Sequence, residues 1–195
     1  MREEASGALP GQAIAVLDPQ RELVVDVFPL EDAHAQERSM FPLILETVKA
    51  NEVWICDRNF CTKDFLTGIS ERGGYFIVRE HLGLAWTETT ARQEAGKNAS
   101  GSIFEQQVQL DSGLCVRRIT IQLEEQTRHG DWQVTLFTNL PETEVTASKV
   151  SELYLKRWQI EKMFQVITDT FNCVAQNSGL SQSGSIRFLY GADGV

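Results

Sequence analysis

The sequence predicts an α/β fold, with a β-rich block inserted before its last helix. Three observations predict it. Apolar runs of strand length alternate with helical segments over the first eighty residues. Residues 82–140 then turn to strand-like alternation broken by Asp/Ser/Gly turns. From about Thr146 to Asn172 the apolar residues return to helical spacing.

AIAVLD (13–18) and ELVVDVF (22–28) read as two strands of a hairpin, with Pro19 and Gln20 in the turn. Asp32 is placed to cap the next segment, DAHAQERSMFPLILETV, where Met40, Leu43, Ile44 and Val48 fall near helical spacing. Pro42 either kinks that helix or marks its true start. A strand at 52–57 and a helix over roughly 62–72 follow, and Gly73-Gly74 ends the helix. YFIVRE (75–80) is the next strand.

In the following block, Glu94 to Ser102 is polar and reads as a loop. IFEQQVQL, LCVRRITIQL and WQVTLFTNL read as strands, separated by Asp111-Ser112-Gly113 and His129-Gly130-Asp131 turns. On the last helix Leu153, Ile160, Phe164, Ile167 and Phe171 share one face. The chain divides accordingly into a core (8–81), a β-rich insertion (82–142), a helical region closing the core (143–173) and a tail without clear structure (174–195).

Composition narrows the function classes. Hydrophobic residues make up 42% and charged residues 23%, as in ordinary globular proteins. There is no run of eighteen apolar residues, which argues against a membrane span. MREEASGALPGQ lacks the apolar core of a signal peptide, so a cytoplasmic protein is expected. Cys56, Cys61, Cys115 and Cys173 form no CxxC pair, and buried free thiols are the expectation rather than a zinc site. The net charge of −9 argues against strong autonomous DNA binding, which draws on a basic surface. It is compatible with a metal-dependent nuclease core, whose site must itself be acidic.

Two motifs carry chemistry. In VWICDRNF a buried strand runs straight into Asp57. The plain reading is a turn residue at a strand end. The alternative is a metal ligand at the carboxyl end of a sheet strand, where open α/β sheets place their chemistry. In LYLKRWQIEKMF, Tyr154, Arg157 and Glu161 form a polar stripe at i, i+3, i+7. The plain reading there is a solvated helix edge with an Arg–Glu i,i+4 pair.

Together the two motifs resemble DDE-type transposases of bacterial insertion sequences, the group called insertion sequence 4. That group's last catalytic helix carries Y-x2-R-x3-E-x6-K, matched here by Tyr154, Arg157 and Glu161, with Thr168 where lysine is usual. Its strand-end D-R-x-F/Y motif is matched by Asp57-Arg58-Asn59-Phe60, and ALPGQAIAVLDP and EDAHAQERS are also similar to this group. The resemblance spans about residues 8–172.

It implies an RNase H-like mixed sheet and three carboxylates holding two divalent ions, magnesium or manganese. Asp57 and Glu161 are then the catalytic, metal-holding pair, and Tyr154, Arg157 and Arg58 contact the DNA backbone. Transposon-end DNA and a homo-oligomeric transposition complex are the implied partners. The resemblance also places a first Asp on a central first strand upstream of the LPG segment, and MREEASGALPGQ contains no Asp. Asp18 and Asp26 are the nearest substitutes, and neither is placed like that ligand.

The expectation is therefore a truncated transposase catalytic domain with its central first strand missing. The alternative is a non-catalytic remnant or interaction module that neither cleaves nor stably binds DNA alone. An open gap beside the strand ending at Asp57 predicts an aggregated or molten chain, unless a surrogate such as SIRFLY (185–190) fills it.

Overall fold

The structure is a computed structural model that describes residues 12–30, 37–127, 130–157, 162 and 184–189. Strands β1 (Gln12–Asp18) and β2 (Leu23–Leu30) form the expected antiparallel hairpin. A short 3-10 turn (Glu37–Met40) leads into α1 (Phe41–Thr47). Pro42 lies in the first turn of α1, where its missing N–H costs nothing, so it marks the helix start. Strand β3 (Glu52–Cys56), helix α2 (Lys63–Glu71) and strand β4 (Tyr75–Arg79) follow as the sequence predicts. β3 and β4 are parallel, joined by the α2 crossover.

Strands β5 (Trp86–Glu88), β6 (Gln93–Asn98), β7 (Gly101–Leu110), β8 (Cys115–Leu123) and β9 (Gln133–Thr138) build the β-rich block. β9 pairs antiparallel with β4, so the block continues the same sheet. The polar patch read as a loop is the β6–β7 hairpin. Its composition reflects the turn: Asn98 Oδ1 accepts the N–H groups of Ser100 and Gly101. At Gly101 a Cβ would lie 1.8 Å from the Gln122 carbonyl oxygen, and φ is +152°, so only glycine fits. Asn139, just past β9, clamps the start of β4 by accepting from Phe76 N–H and donating to Gly74 O.

Helix α3 (Ala147–Leu155) is capped by Thr146, whose hydroxyl oxygen accepts from Lys149 N–H at 3.2 Å. Most of the sequence-predicted continuation to Asn172, including Glu161, lies outside the described residues. The tail read as unstructured contributes strand β10 (Gly184–Leu189). It enters the sheet between β1, which it parallels, and β3, against which it runs antiparallel. The sheet order is β2-β1-β10-β3-β4-β9-β8-β7-β5, with β6 on β7. The place left open by the sequence reading is thus filled, and by the segment whose Ile and Phe favour a strand.

The sheet is covered on both faces. One cluster joins Trp54, Phe76 and Val78 of β3 and β4 to Phe41, Ile44, Phe65 and Ile69 of α1 and α2. The other joins Ile55, Ile77, Ile119 and Leu136 to Val150, Leu153 and Tyr154 of α3. Each face removes large side chains from water, the main source of stability in such a layer. Cys56 and Cys61 are buried thiols as expected, whereas Cys115 is exposed because it opens β8 at a turn. Among the described residues no helix is long and apolar enough to cross a membrane.

Candidate active site

Asp57 follows β3 immediately and begins a 3-10 turn, Arg58–Phe60. Its Oδ1 accepts from Asn59 N–H at 2.7 Å, so the turn-residue reading is correct as far as it goes. That bond uses one of the two carboxylate oxygens. Phe60 is fully buried and packs within 5.2 Å of Phe41 and 5.5 Å of Phe65, ring centre to ring centre. The aromatic of the D-R-x-F motif therefore pins the turn that presents Asp57. Burial pushes the Asp57 carboxyl above its ordinary value. The Asn59 N–H, Arg157 and Arg58 pull it down, and Glu37 raises it further.

The helix motif reaches the same place. Tyr154 is 7% exposed, on the sheet-facing side of α3, and burial raises its phenol above the usual range. Arg157, in the turn after the helix, lies 5.8 Å from the Tyr154 ring centre and acts electrostatically on both Tyr154 and Asp57. The structure thus brings Asp57, Arg58, Tyr154 and Arg157 together at the carboxyl end of β3. Glu161 lies outside the described residues.

Three residues join this site that the sequence reading did not single out. Glu37 accepts from Asn59 Nδ2 at 3.3 Å, which puts a second carboxylate beside Asp57. Arg79 ends β4, and since Cys56 is in register with Val78, Asp57 and Arg79 are the next residues along two adjacent parallel strands. Asp131 binds Arg79 from the β8–β9 connection at 2.6 Å. None leaves a local signature, because each contact spans about twenty residues or more.

The substitutes for a first carboxylate are placed elsewhere. Asp18 Oδ1 accepts from the backbone N–H groups of Gln20 and Arg21, closing the β1–β2 turn. Asp26 lies on β2, three strands from β3, or roughly 14 Å at the usual strand spacing. Among the described residues no group of three or more His, Cys, Asp or Glu side chains is placed to hold a metal ion. Asp57 does suit a hard divalent cation as one ligand, being a half-buried carboxylate whose charged form burial disfavours and a bound cation would stabilise.

A raised carboxyl pKa has a stability consequence. The folded state holds the Asp57 proton more tightly than the unfolded chain, so stability is highest below the unfolded value and falls as pH rises through the folded one. Asp57→Asn, which keeps an oxygen for Asn59 N–H, is expected to raise the melting temperature at neutral pH. The gain should vanish in acid. A gain that persists unchanged at pH 3 would assign the effect to something other than this carboxylate.

Fold and site together define an α/β domain that gathers an acid, a phenol and several guanidinium groups at one end of a mixed sheet. The chain belongs to the transposase DDE domain family, whose model matches residues 10–185. Domains of this family serve DNA transposition and use divalent metal ions. The mixed sheet with helices on both faces is consistent with their RNase H-like fold. A search of the curated proteins finds no match.

Proposed function

We propose that this chain is catalytic-domain sequence of an insertion sequence 4-type transposase, supplying two of the three carboxylates of the site. The observation that carries the reading is the convergence of Asp57, Tyr154 and Arg157, about a hundred residues apart in sequence, at one end of the sheet. Asp57 and Glu161 would hold the divalent ions, which activate the attacking oxygen and stabilise the leaving oxygen of an in-line displacement at phosphorus. Arg157 and Arg58 would bind the phosphodiester, since guanidinium pairs with phosphate through two parallel hydrogen bonds. The buried Tyr154 ring fixes the approach of Arg157. The working compartment is the bacterial cytoplasm and the working form an oligomer on transposon ends.

The absence of the third carboxylate from this sheet is supported by its middle. The family match ends at residue 185, so four of the six residues of β10 lie beyond it, yet β10 fills the central place between β1 and β3. That is the place where the resemblance puts the strand bearing the first Asp.

Two measurements test this. Manganese binding by the chain, followed by calorimetry, should weaken at least tenfold in Asp57→Ala and in Glu161→Ala, the scale for losing a ligand from a weak site. Unchanged affinity in both variants would defeat the assignment. Cleavage and joining of DNA should be absent with this chain in magnesium or manganese. Strand transfer that Asp57→Ala abolishes would show that another residue replaces the first Asp.

A further inference from the structure

Among the described residues, three arginine–carboxylate pairs lie within the β-rich block or join it to the end of β4, and they are of two kinds. Arg117 with Glu105 has side chains 4% and 11% exposed, and Arg118 with Glu80 has 15% and 11%. Both are braced: Arg117 Nη1 also donates to Leu140 O and Val145 O, and Trp86 Nε1 donates to Glu80 while Arg118 stacks on its ring. Arg79 with Asp131 differs, at 21% and 39% exposed. It sits on the rim of the site.

Asp131 is held out on a built turn. Its N–H donates to the Thr127 hydroxyl oxygen, Thr127 N–H donates to Asp131 O, and Gly130 takes the left-handed conformation at φ +83°. The Asp131 carboxyl is held below its ordinary range first by the hydrogen bond from Arg79, with Thr127 and Arg58 adding to it. A single carboxylate therefore faces two of the arginines that surround Asp57.

We propose that Asp131 is a stand-in for a DNA phosphate: it closes the Arg79 guanidinium when no nucleic acid is bound and is displaced when a phosphodiester arrives between Arg79 and Arg58. This rests on the DNA-facing reading above and deepens it by naming a latch. Carboxylate and phosphodiester both offer guanidinium a pair of anionic oxygens for two parallel hydrogen bonds, so one can take the place of the other. An exposed ion pair gives up little when exchanged for such a partner. In a chain of net charge −9 the latch also keeps this arginine from adventitious anions.

The test is duplex binding by the whole chain at low salt, read by fluorescence anisotropy. Asp131→Asn should tighten binding roughly three- to tenfold, the scale of one charge-assisted phosphate contact, and steepen the salt dependence by about one unit. The double variant Arg79→Ala with Asp131→Asn should lose that gain. Glu124→Gln removes the same charge from the exposed pair with Lys97 and should give a smaller effect. Inorganic phosphate at equal phosphate concentration should leave the Asp131→Asn gain intact. A merely structural pair predicts weaker or unchanged binding in Asp131→Asn, and that result, with Arg157→Ala still weakening the wild type, overturns the latch alone. An equal gain in Glu124→Gln, or erasure of the gain by phosphate, overturns it too. No duplex binding by either wild type or Asp131→Asn overturns the latch and the DNA-facing reading together.

Discussion

Glu105→Ala is expected to destabilise the domain by about 3–5 kcal/mol, the usual cost of stranding one partner of a buried ion pair. Arg117 is 3% exposed and its guanidinium has three partners: Glu105 on β7, and the carbonyls of Leu140 and Val145 at 3.0 and 2.8 Å. Those carbonyls belong to the connection from β9 to α3. The pair therefore holds down the segment that sets α3 over the sheet and delivers Tyr154 and Arg157 to Asp57. Removing Glu105 leaves a cation in a space that water does not enter, with two carbonyl dipoles to offset it. Urea unfolding of Glu105→Ala, Arg117→Met and the double variant checks this. The double variant should recover most of the loss, because the buried charge goes with its partner. A Glu105→Ala loss below about 1 kcal/mol, the range of exposed pairs, would mean that water reaches Arg117 after all.

What could be read from the sequence were features written in local pattern. The β3–α2–β4 unit announces itself through an all-buried strand, a helix of period 3.6 and a Gly-Gly stop. Asp57 stood out because a carboxylate interrupts that run, whereas spacing alone left Tyr154 and Arg157 as a solvated helix edge and only the resemblance of the two motifs together to transposases singled them out. The β6 strand was not legible: Gln93 to Asn98 carries few apolar residues and is largely exposed, so its pairing with β7 leaves no alternation. Glu37 was hidden inside a segment read as helical, with Pro42 as its kink or its true start; the chain makes a 3-10 turn there and begins α1 only at Phe41. Arg79 and Asp131 read as an ordinary strand end and an ordinary turn. Only the register of β4 between β3 and β9 brings them to the site. Long-range pairing carries that information, and sequence spacing does not.

Ile186→Pro is expected to abolish cooperative unfolding, leaving an aggregated or molten chain with weak near-UV dichroism where the wild type melts sharply. β10 is the only described strand touching both β1 and β3. Ile186 sits at its middle, opposite Leu17 on one side and Ile55 on the other. Proline there removes an N–H from the ladder and sets its ring against a neighbouring strand, which central strands do not tolerate. If β10 leaves, β1 and β3 become facing edges with unpaired N–H and C=O groups. Ile14, Val16, Leu17, Val53, Trp54 and Ile55 beside the gap are all at most 3% exposed in the intact sheet. Returning several such side chains to water at roughly 1.5–3 kcal/mol each matches the whole stability of a domain, about 5–15 kcal/mol. The sequence alone predicted that failure for the unmodified chain, by leaving the gap open. The structure transfers it to the variant, because the tail closes the gap. A variant that melts as sharply as the wild type, at the same temperature, would show that β10 does not hold β1 against β3. It would also remove the support that the centre of the sheet lends to the two-carboxylate reading, while leaving the convergence at Asp57 untouched.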